Sequence, residues 1–234
     1  MSSKPNTETL FVVGTDTGIG KTVLSLLLMQ FFFARGSHPF YLKPIQTGCK
    51  DPYDTDSDAR FIYEHVEALQ GRDPAESVVY CFPQPKAPYF AARNAGSEID
   101  LEVIRNAVEK KRLHHAPVIL EGAGGLLVPV TSTQQVIDLV VQMNAGPILA
   151  ARSALGTINH TLLSIESLRS RGLEPVGIVL LDPFDPPTSG DMIQENIEAM
   201  EFFGGISVAG VLPKITDFSN PPRECFTILS RIFP

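Results

Sequence analysis

The fold of this chain is decided by one stretch, Gly14-Thr15-Asp16-Thr17-Gly18-Ile19-Gly20-Lys21-Thr22. An apolar run at residues 10–13 precedes it, and a longer apolar stretch at residues 23–33 follows it. This order of strand, glycine-rich loop and helix is the context in which Gly-Lys-Thr binds phosphate, because consecutive backbone N–H groups and the first helical turn point at an anion. The stretch therefore predicts a phosphate-binding loop, with Lys21 on the β and γ phosphates and Thr22 on Mg²⁺.

The spacing within this loop is unusual. Five residues separate Gly14 from Gly20, where the general pattern has four. Either the loop is one residue longer than usual, or Gly18 is its main hinge. The competing interpretation is a plain glycine-rich turn between a strand and a helix.

Composition limits the class of protein. A chain of 234 residues with 44% hydrophobic and 19% charged residues predicts one soluble domain over residues 1–234. The net charge of −7 and the lack of a basic stretch argue against nucleic acid as a partner. Three scattered cysteines indicate reduced thiols in the cytoplasm. Residues 1–9 lack the apolar core of a signal peptide, and residues 23–33 are too few to span a bilayer, so no membrane association is expected.

Apolar runs alternate with helical patterns along the chain. Strands are predicted at residues 10–13, 40–42, 118–120, 147–150, 176–181 and 208–212, and helices at 22–34, 57–69, 101–111, 133–143, 159–171 and 192–203. Asp100 is a predicted helix N-cap, and Gly36 and Gly172 follow predicted helix ends. This alternation predicts an α/β fold with a doubly wound, mainly parallel sheet flanked by helices. Residues 79–88 are proline-rich and predict a linker or a loop shaped for a ligand, and residues 183–190 predict a surface loop.

Ligands of such sheets bind beyond the carboxyl ends of the strands, where this chain carries polar side chains. Lys43 follows the second apolar run. Taken alone it predicts an exposed lysine; the alternative is that it stabilises charge on a phosphoryl group or binds an anionic substrate. Four aspartates follow at 51, 54, 56 and 58, which alone indicate a solvated loop and a helix N-cap; in a phosphate-binding protein one of them would hold Mg²⁺. Glu121, after the third run, would reach the same ion, and the glycines beside it allow close approach of substrate.

The fourth apolar run leads into Gly156-Thr157-Ile158-Asn159-His160. Free N–H groups at this helix start would bind a carboxylate. His160 is interpreted as a helical histidine satisfied by its neighbours rather than as a catalytic base.

Four motifs together resemble one family, the dethiobiotin synthetases. They are the stretch from Gly14 to Thr22, Lys43-Pro44 with Thr47-Gly48, Glu121-Gly122-Ala123-Gly124-Gly125, and Leu155-Gly156-Thr157-Ile158-Asn159-His160. They occur in the family's order and span most of the chain. The extra residue in the first loop is the family's own spacing.

The resemblance implies a P-loop NTPase fold and an ATP-dependent ligase of biotin synthesis that joins 7,8-diaminononanoate and CO₂ through a carbamate and a carbamic-phosphoric anhydride. It implies a homodimer, ATP as co-substrate, catalytic roles for Lys21 and Lys43, and Mg²⁺ held by Thr22, Asp58 and Glu121. The implied nucleotide contacts are Thr17, Gly18, Ile19, Gly20, Lys21, Thr22, Val23, Asp58, Glu121, Gly122, Ala123, Gly124, Asp182, Pro213 and Lys214. The implied substrate contacts are Thr15, Thr47 and Gly124, with Gly156, Thr157, Ile158 and Asn159 contributed across the dimer.

This chain departs from the family at two places. Leu181-Asp182 stands where the family often has an Asn-Asp pair on the adenine, and leucine cannot make that hydrogen-bond pair, so other nucleoside triphosphates are expected to serve as well. Pro88-Tyr89 stands where the family has Pro-His.

Three other classes of protein compete with this interpretation. A partner-regulated switch ATPase of the partitioning type carries a signature lysine five residues before the invariant one, where this chain has Asp16. An amidotransferase of the cobyrinate synthase type needs an extra domain with a nucleophilic cysteine and a histidine, for which 234 residues are expected to leave no room. A nucleotide-binding module without catalysis leaves Lys43, Asp58 and Glu121 unexplained.

Overall fold

A seven-stranded parallel sheet forms the centre of the molecule. The computed structural model describes residues 7–234, so the polar start of the chain, residues 1–6, lies outside the described part. Every strand pairing is parallel, and the strand order is β3-β2-β4-β1-β5-β6-β7. The strands are β1 (Thr9–Gly14), β2 (Phe40–Thr47), β3 (Val78–Phe82), β4 (Val118–Gly125), β5 (Gly146–Arg152), β6 (Gly177–Leu181) and β7 (Val208–Leu212).

Helices cover both faces of this sheet. They are α1 (Lys21–Ala34), α2 (Asp58–His65), α3 (Pro88–Asn94), α4 (Leu101–Arg112), α5 (Val136–Gln142), α6 (Thr157–Ser170), α7 (Gly190–Gly204) and α8 (Arg223–Ser230), with 3₁₀ turns at Glu67–Leu69 and Pro74–Ser77. One apolar core joins the sheet to α1, α2 and α8, and the other joins it to α3 to α7. The predicted doubly wound α/β fold is confirmed. Within residues 7–234, no helix is both long and apolar enough to cross a bilayer.

The predicted end signals of the helices are confirmed. The Asp100 carboxylate accepts the Glu102 N–H at 2.8 Å, and Gly36 and Gly172 have φ of +75° and +73° after the ends of α1 and α6. Residues 183–189 connect β6 to α7 without regular structure, as expected of a loop.

Three parts of the fold differ from the sequence prediction. The proline-rich segment begins with a strand, β3, and ends in α3, whose first residue is Pro88. Proline is tolerated there because the first helical N–H has no intrahelical partner. The predicted helix at 57–69 ends at His65 and resumes only as a 3₁₀ turn, and the end of the chain contains α8.

Two strands run further than their apolar letters indicate. β2 continues through Lys43 to Thr47, and β4 continues through Glu121 to Gly125. The expectation that Lys43 and Glu121 follow their strands is therefore wrong, since both lie within strands. Each is almost fully buried, at 4% and 1% exposure.

Candidate nucleotide-binding and catalytic site

The loop between β1 and α1 has the backbone of a phosphate-binding loop. Gly18 and Gly20 both have positive φ, at +67° and +95°, so the loop turns at two glycines. Gly14 has no room for a side chain, because a Cβ there would lie 2.6 Å from Ile19 Cδ1 and 3.0 Å from the Asp16 carbonyl oxygen. The glycines thus let the loop fold back over the end of β1, and α1 begins at Lys21.

Lys21 lies in this loop with its amino group close to the backbone. Its Nζ donates to the Asp16 carbonyl at 3.0 Å, and the residue is only 7% exposed. Burial, reinforced by the Lys43 ammonium, lowers the pKa of Lys21 to about 8. The geometry holds the amino group beside the glycine-rich backbone, where an anion would bind.

A compact polar cluster joins four elements next to the loop, α1, α2, β2 and β4. Lys43 Nζ lies 2.6 Å from Asp58 Oδ2 and 2.7 Å from Glu121 Oε1. The Thr22 hydroxyl lies 2.9 Å from both Asp58 Oδ1 and Glu121 Oε1. Because β4 lies between β2 and β1, Glu121 is placed between Lys43 and the phosphate loop.

Two further contacts position Glu121 and Asp58. Glu121 Oε2 accepts the Tyr41 hydroxyl at 3.0 Å, and Gln46 Oε1 accepts the Asp58 N–H at 3.2 Å. Ser57 caps α2, accepting the Arg60 N–H at 3.3 Å, which places Asp58 in the first turn. The carboxylate of Asp58 therefore points from a helix start into the cluster.

The charges in the cluster stabilise one another. Burial alone would lower the pKa of Lys43, but the Asp58 and Glu121 carboxylates outweigh it and raise that pKa above its ordinary value. Burial opposes ionisation of Asp58, yet the Lys43 ammonium holds the pKa of Asp58 below its ordinary value. Burial and the nearby carboxylates raise the pKa of Tyr41 well above 10.0, so its hydroxyl keeps its proton and donates. Lys43 is thus a fixed cation at neutral pH.

An open cavity of about 740 Å³ lies over the cluster, within the size range of small-molecule sites. Its walls come from the phosphate loop, the ends of β2 and β4, the head of α2, the loop before α3 and the segment before α8. They are residues 17, 18, 20–23, 43, 46, 47, 55–58, 61, 85–88, 121–124, 128 and 218. The cavity therefore brings together the predicted phosphate loop, Lys43, Thr47, Asp58 and the glycines after Glu121.

The donors in the cluster suit Mg²⁺. Thr22, Asp58 and Glu121 offer only hard oxygen atoms, and they already converge through shared hydrogen bonds. Among residues 7–234 there is no group of three or more His, Cys, Asp or Glu side chains that would hold a metal by itself. Two carboxylates fit Mg²⁺ nonetheless, because this ion commonly takes one or two carboxylates and completes its shell with water and phosphate oxygens.

Several predicted contacts lie outside the cavity walls. The Ile19 side chain is buried in the core, and Thr15 donates its N–H to the Ala150 carbonyl at 3.0 Å. Asp182 is buried and its carboxylate is engaged within the chain, accepting the Ser153 hydroxyl at 2.8 Å and the Thr188 N–H at 3.1 Å. Pro213 is half-buried, and exposed Lys214 pairs with Asp185 at 3.2 Å.

The segment predicted to serve a second subunit starts helix α6. Gly156 caps it with φ +91°, and the Thr157 hydroxyl lies 3.4 Å from that of Thr161. Asn159 is exposed and Ile158 half-buried. None of these four residues lines the cavity of its own chain.

Sequence reasoning missed part of the site. Tyr41 donates to the Glu121 carboxylate, Gln46 accepts the backbone N–H of Asp58, and Phe61 and Phe218 line the cavity. Residues 85–88 also line it, which favours the ligand-loop alternative predicted for the proline-rich segment. The alternation of β2 could have indicated Tyr41, because residues two apart in a strand share a face and Lys43 was already singled out. Phe218, in contrast, reaches the cavity only through long-range packing.

The parallel sheet, the glycine loop at the carboxyl end of β1, and the lysine–carboxylate cluster define a P-loop nucleotide-binding protein. A family profile described as an AAA domain matches residues 8–222. The chain is 41% identical over 184 residues to the ATP-dependent dethiobiotin synthetase BioD of Anaeromyxobacter dehalogenans, covering 76% of this chain and 79% of that protein. It is 37% identical over 223 residues to the enzyme of the same name from Paramagnetospirillum magneticum, covering 93% of this chain and 96% of that protein. The chain belongs to the dethiobiotin synthetase family, whose named members are ATP-dependent ligases.

Solved structures with the same fold are more distant. The MinC:MinD cell division protein complex of Aquifex aeolicus aligns with a TM-score of 0.60 at 13% identity, covering 96% of this chain and 95% of that one. A ParA family ATPase from Chlorobium tepidum aligns with a TM-score of 0.53 at 13% identity, covering 97% of this chain and 93% of that one. At such identity these likenesses establish the P-loop NTPase fold alone.

Proposed function

We propose that this chain converts 7,8-diaminononanoate, CO₂ and ATP into dethiobiotin, ADP and phosphate. The observation that carries the proposal is the cluster of Lys43, Asp58, Glu121 and Thr22 beside the phosphate loop, in one cavity that also contains Thr47. Relatives with the name of this activity align over most of the chain.

The reaction has three steps. One substrate amine attacks CO₂ and loses a proton, giving a carbamate. A carbamate oxygen then attacks the γ-phosphorus of ATP and ADP leaves. The second amine attacks the carbonyl carbon of the resulting anhydride, and phosphate leaves as the ureido ring closes.

The cluster suits the phosphoryl-transfer step. Lys21 and Lys43 would offset the negative charge of the γ-phosphate and of the carbamate. Because its two carboxylate partners raise the pKa of Lys43, this residue supplies charge and position rather than accepting a proton. Thr47, at the end of β2, would orient the amines, and such positioning can supply a large part of the rate.

Thr22, Asp58 and Glu121 would hold Mg²⁺ as it neutralises the β and γ phosphates. The glycines at 122 and 124 would let the nucleotide and substrate approach the backbone. A methyl group at Gly124, which has φ +73°, would lie 2.8 Å from Val128 Cγ2.

We further propose one domain over residues 1–234 that works as a cytoplasmic homodimer. Leu155 and Leu163, on either side of the segment 156–159, are 87% and 55% exposed, as expected of a surface covered by a second copy. In that dimer the partner copy's α6 start would supply N–H groups for the substrate carboxylate. The free thiols of Cys49, Cys81 and Cys225 are consistent with a reducing compartment.

The direct test is phosphate release by the purified protein with ATP, Mg²⁺ and bicarbonate, with and without 7,8-diaminononanoate. Release that requires the diamine, with dethiobiotin as product, is the expected result. Phosphate release at the same rate with and without the diamine would contradict the proposal and favour the switch ATPase class. The structure gives that class no support beyond the fold, since exposed Asp16 stands at its signature lysine position.

A further inference from the structure

The Tyr41 hydroxyl is a buried group that the reaction above does not use. Tyr41 is 1% exposed, and its hydroxyl donates to Glu121 Oε2 at 3.0 Å. The other carboxylate oxygen, Oε1, accepts Lys43 at 2.7 Å and the Thr22 hydroxyl at 2.9 Å. The two oxygens of Glu121 are thereby assigned to different sides, one to Tyr41 and one to the cavity.

Strand geometry places Tyr41 behind Glu121. Tyr41 and Lys43 are two residues apart in β2 and share a face, as do Ile119 and Glu121 in β4. Tyr41 pairs with Ile119, which is two residues before Glu121 in β4. The tyrosine ring therefore lies on the same face of the sheet as the Glu121 carboxylate, nearer the start of the strand and within the apolar core under α1. The ring fills core volume while its hydroxyl reaches the polar cluster.

The backbone of Tyr41 is fixed by a second buried contact. Its carbonyl accepts the Ser77 hydroxyl at 2.7 Å, and the Ser77 hydroxyl oxygen lies 2.8 Å from the Tyr63 hydroxyl. Ser77 is fully buried and Tyr63 is 6% exposed. Tyr63 does not contact Glu121, so it offers a second buried tyrosine hydroxyl in the same core for comparison.

We propose that Tyr41 is a positioning residue that holds Glu121 with Oε1 directed at Thr22, Lys43 and the Mg²⁺–nucleotide position. The inference rests on the proposed function for the role of Mg²⁺. In the described part of the chain, Tyr41 is the one donor recorded on Oε2, so its removal leaves that oxygen buried without a donor and lets the carboxylate turn. Loss of such a supporting hydrogen bond typically weakens metal-dependent function by about tenfold or more.

The test is ADP affinity, measured by calorimetry with and without Mg²⁺, for wild type, Tyr41→Phe and Tyr63→Phe. In Tyr41→Phe the ratio of the two affinities should fall about tenfold, with little change in the Mg²⁺-free affinity. Tyr63→Phe removes a buried hydroxyl but keeps Tyr41 on Glu121, so it should retain the wild-type ratio. An unchanged ratio in Tyr41→Phe, or an equal fall in both variants, would overturn the proposal.

Two further measurements keep the test decisive. If Tyr41→Phe does not fold, 4-aminophenylalanine at position 41 keeps the ring and a donor at the same place, and it should retain the wild-type ratio. A tenfold fall with that donor present would overturn the proposal. ADP binding needs no diamine. A lack of diamine-dependent turnover would therefore contradict the proposed function without deciding the role of Tyr41, which the ADP affinities test separately.

Discussion

Leu181 packs against the backbone of Gly20 so closely that a methyl group at position 20 would lie 2.5 Å from Leu181 Cδ2. Gly20 also has φ +95°, a conformation that costs an alanine about 1–2 kcal/mol. We therefore expect Gly20→Ala to weaken ADP binding at least about tenfold, because the N–H groups of the loop would lose their alignment. Calorimetric titration with ADP and Mg²⁺ measures this.

Gly36→Ala is the matched control. Gly36 has φ +75° after α1, and a Cβ there would meet nothing within 4 Å. Both variants carry the cost of a positive φ, but Gly36→Ala lacks the clash with Leu181, so it should lose less stability and should bind ADP as wild type does. Equal binding losses in the two variants would show that the effect is general destabilisation.

Lys43→Met should abolish turnover and lower the free energy of unfolding by about 3–5 kcal/mol, because buried Glu121 and half-buried Asp58 lose their shared cation. Urea denaturation without Mg²⁺ measures the stability, and excess Mg²⁺ should restore part of it. The control is Lys214→Met, which removes an exposed pair and should change stability by less than about 1 kcal/mol. A Lys43→Met protein as stable as wild type would argue against the buried ion pairs.

The lowered pKa of Lys21 predicts a pH dependence of nucleotide binding. Above its folded-state pKa of about 8 the amine is neutral in the free protein and attracts phosphate weakly. We expect ADP affinity to fall as pH rises above that value, approaching about tenfold per pH unit. Lys21→Met should bind weakly at every pH, and a flat wild-type profile would contradict the shift.

The lowered pKa of Lys21 also affects folding, and here a rise in pH increases stability, whereas it weakens ADP binding. The unfolded lysine keeps its ordinary pKa of 10.5, so between pH about 8 and 10.5 the unfolded chain binds more protons than the native state. Without nucleotide, wild type should therefore gain stability relative to Lys21→Met as pH rises through this window. Denaturation of both proteins across the window measures the gain.

Asp182→Ala should destabilise the protein by about 1–3 kcal/mol, because it removes the acceptor of the Thr188 N–H and one of the two hydroxyl or carboxylate partners of the buried Ser153 hydroxyl. The control Asp185→Ala removes an exposed carboxylate, at 81% side-chain exposure, and should be nearly neutral. If Asp182→Ala instead kept its stability and changed nucleotide preference, Asp182 would be a base contact after all.

Leu181 predicts relaxed choice of nucleotide. Its side chain is buried against Gly20 and has no hydrogen-bonding group. We expect kcat/KM for CTP and GTP to lie within about tenfold of that for ATP, and Leu181→Asn to shift the ratio towards ATP. A strong wild-type preference for ATP would place base recognition in another group.

The sequence predicted the fold better than the details of the site. Apolar runs flanked by caps located six of the seven strands, because buried parallel strands read as continuous hydrophobic segments. β3 was missed because it is an edge strand that is only partly buried and runs into prolines. Lys43 and Glu121 were singled out, but their burial depends on pairing between β2 and β4, which no local pattern encodes.

The position of β4 between β1 and β2 has a consequence during synthesis. Glu121 is 99 residues from Thr22 and 78 from Lys43 along the chain, yet it joins them. A nascent chain on the ribosome that lacks β4 carries Lys21 and Lys43 without the strand that joins β1 to β2. The contacts of Glu121 with Thr22 and Lys43 therefore form only after β4 has been synthesised, so a translation product truncated before β4 lacks the complete cluster.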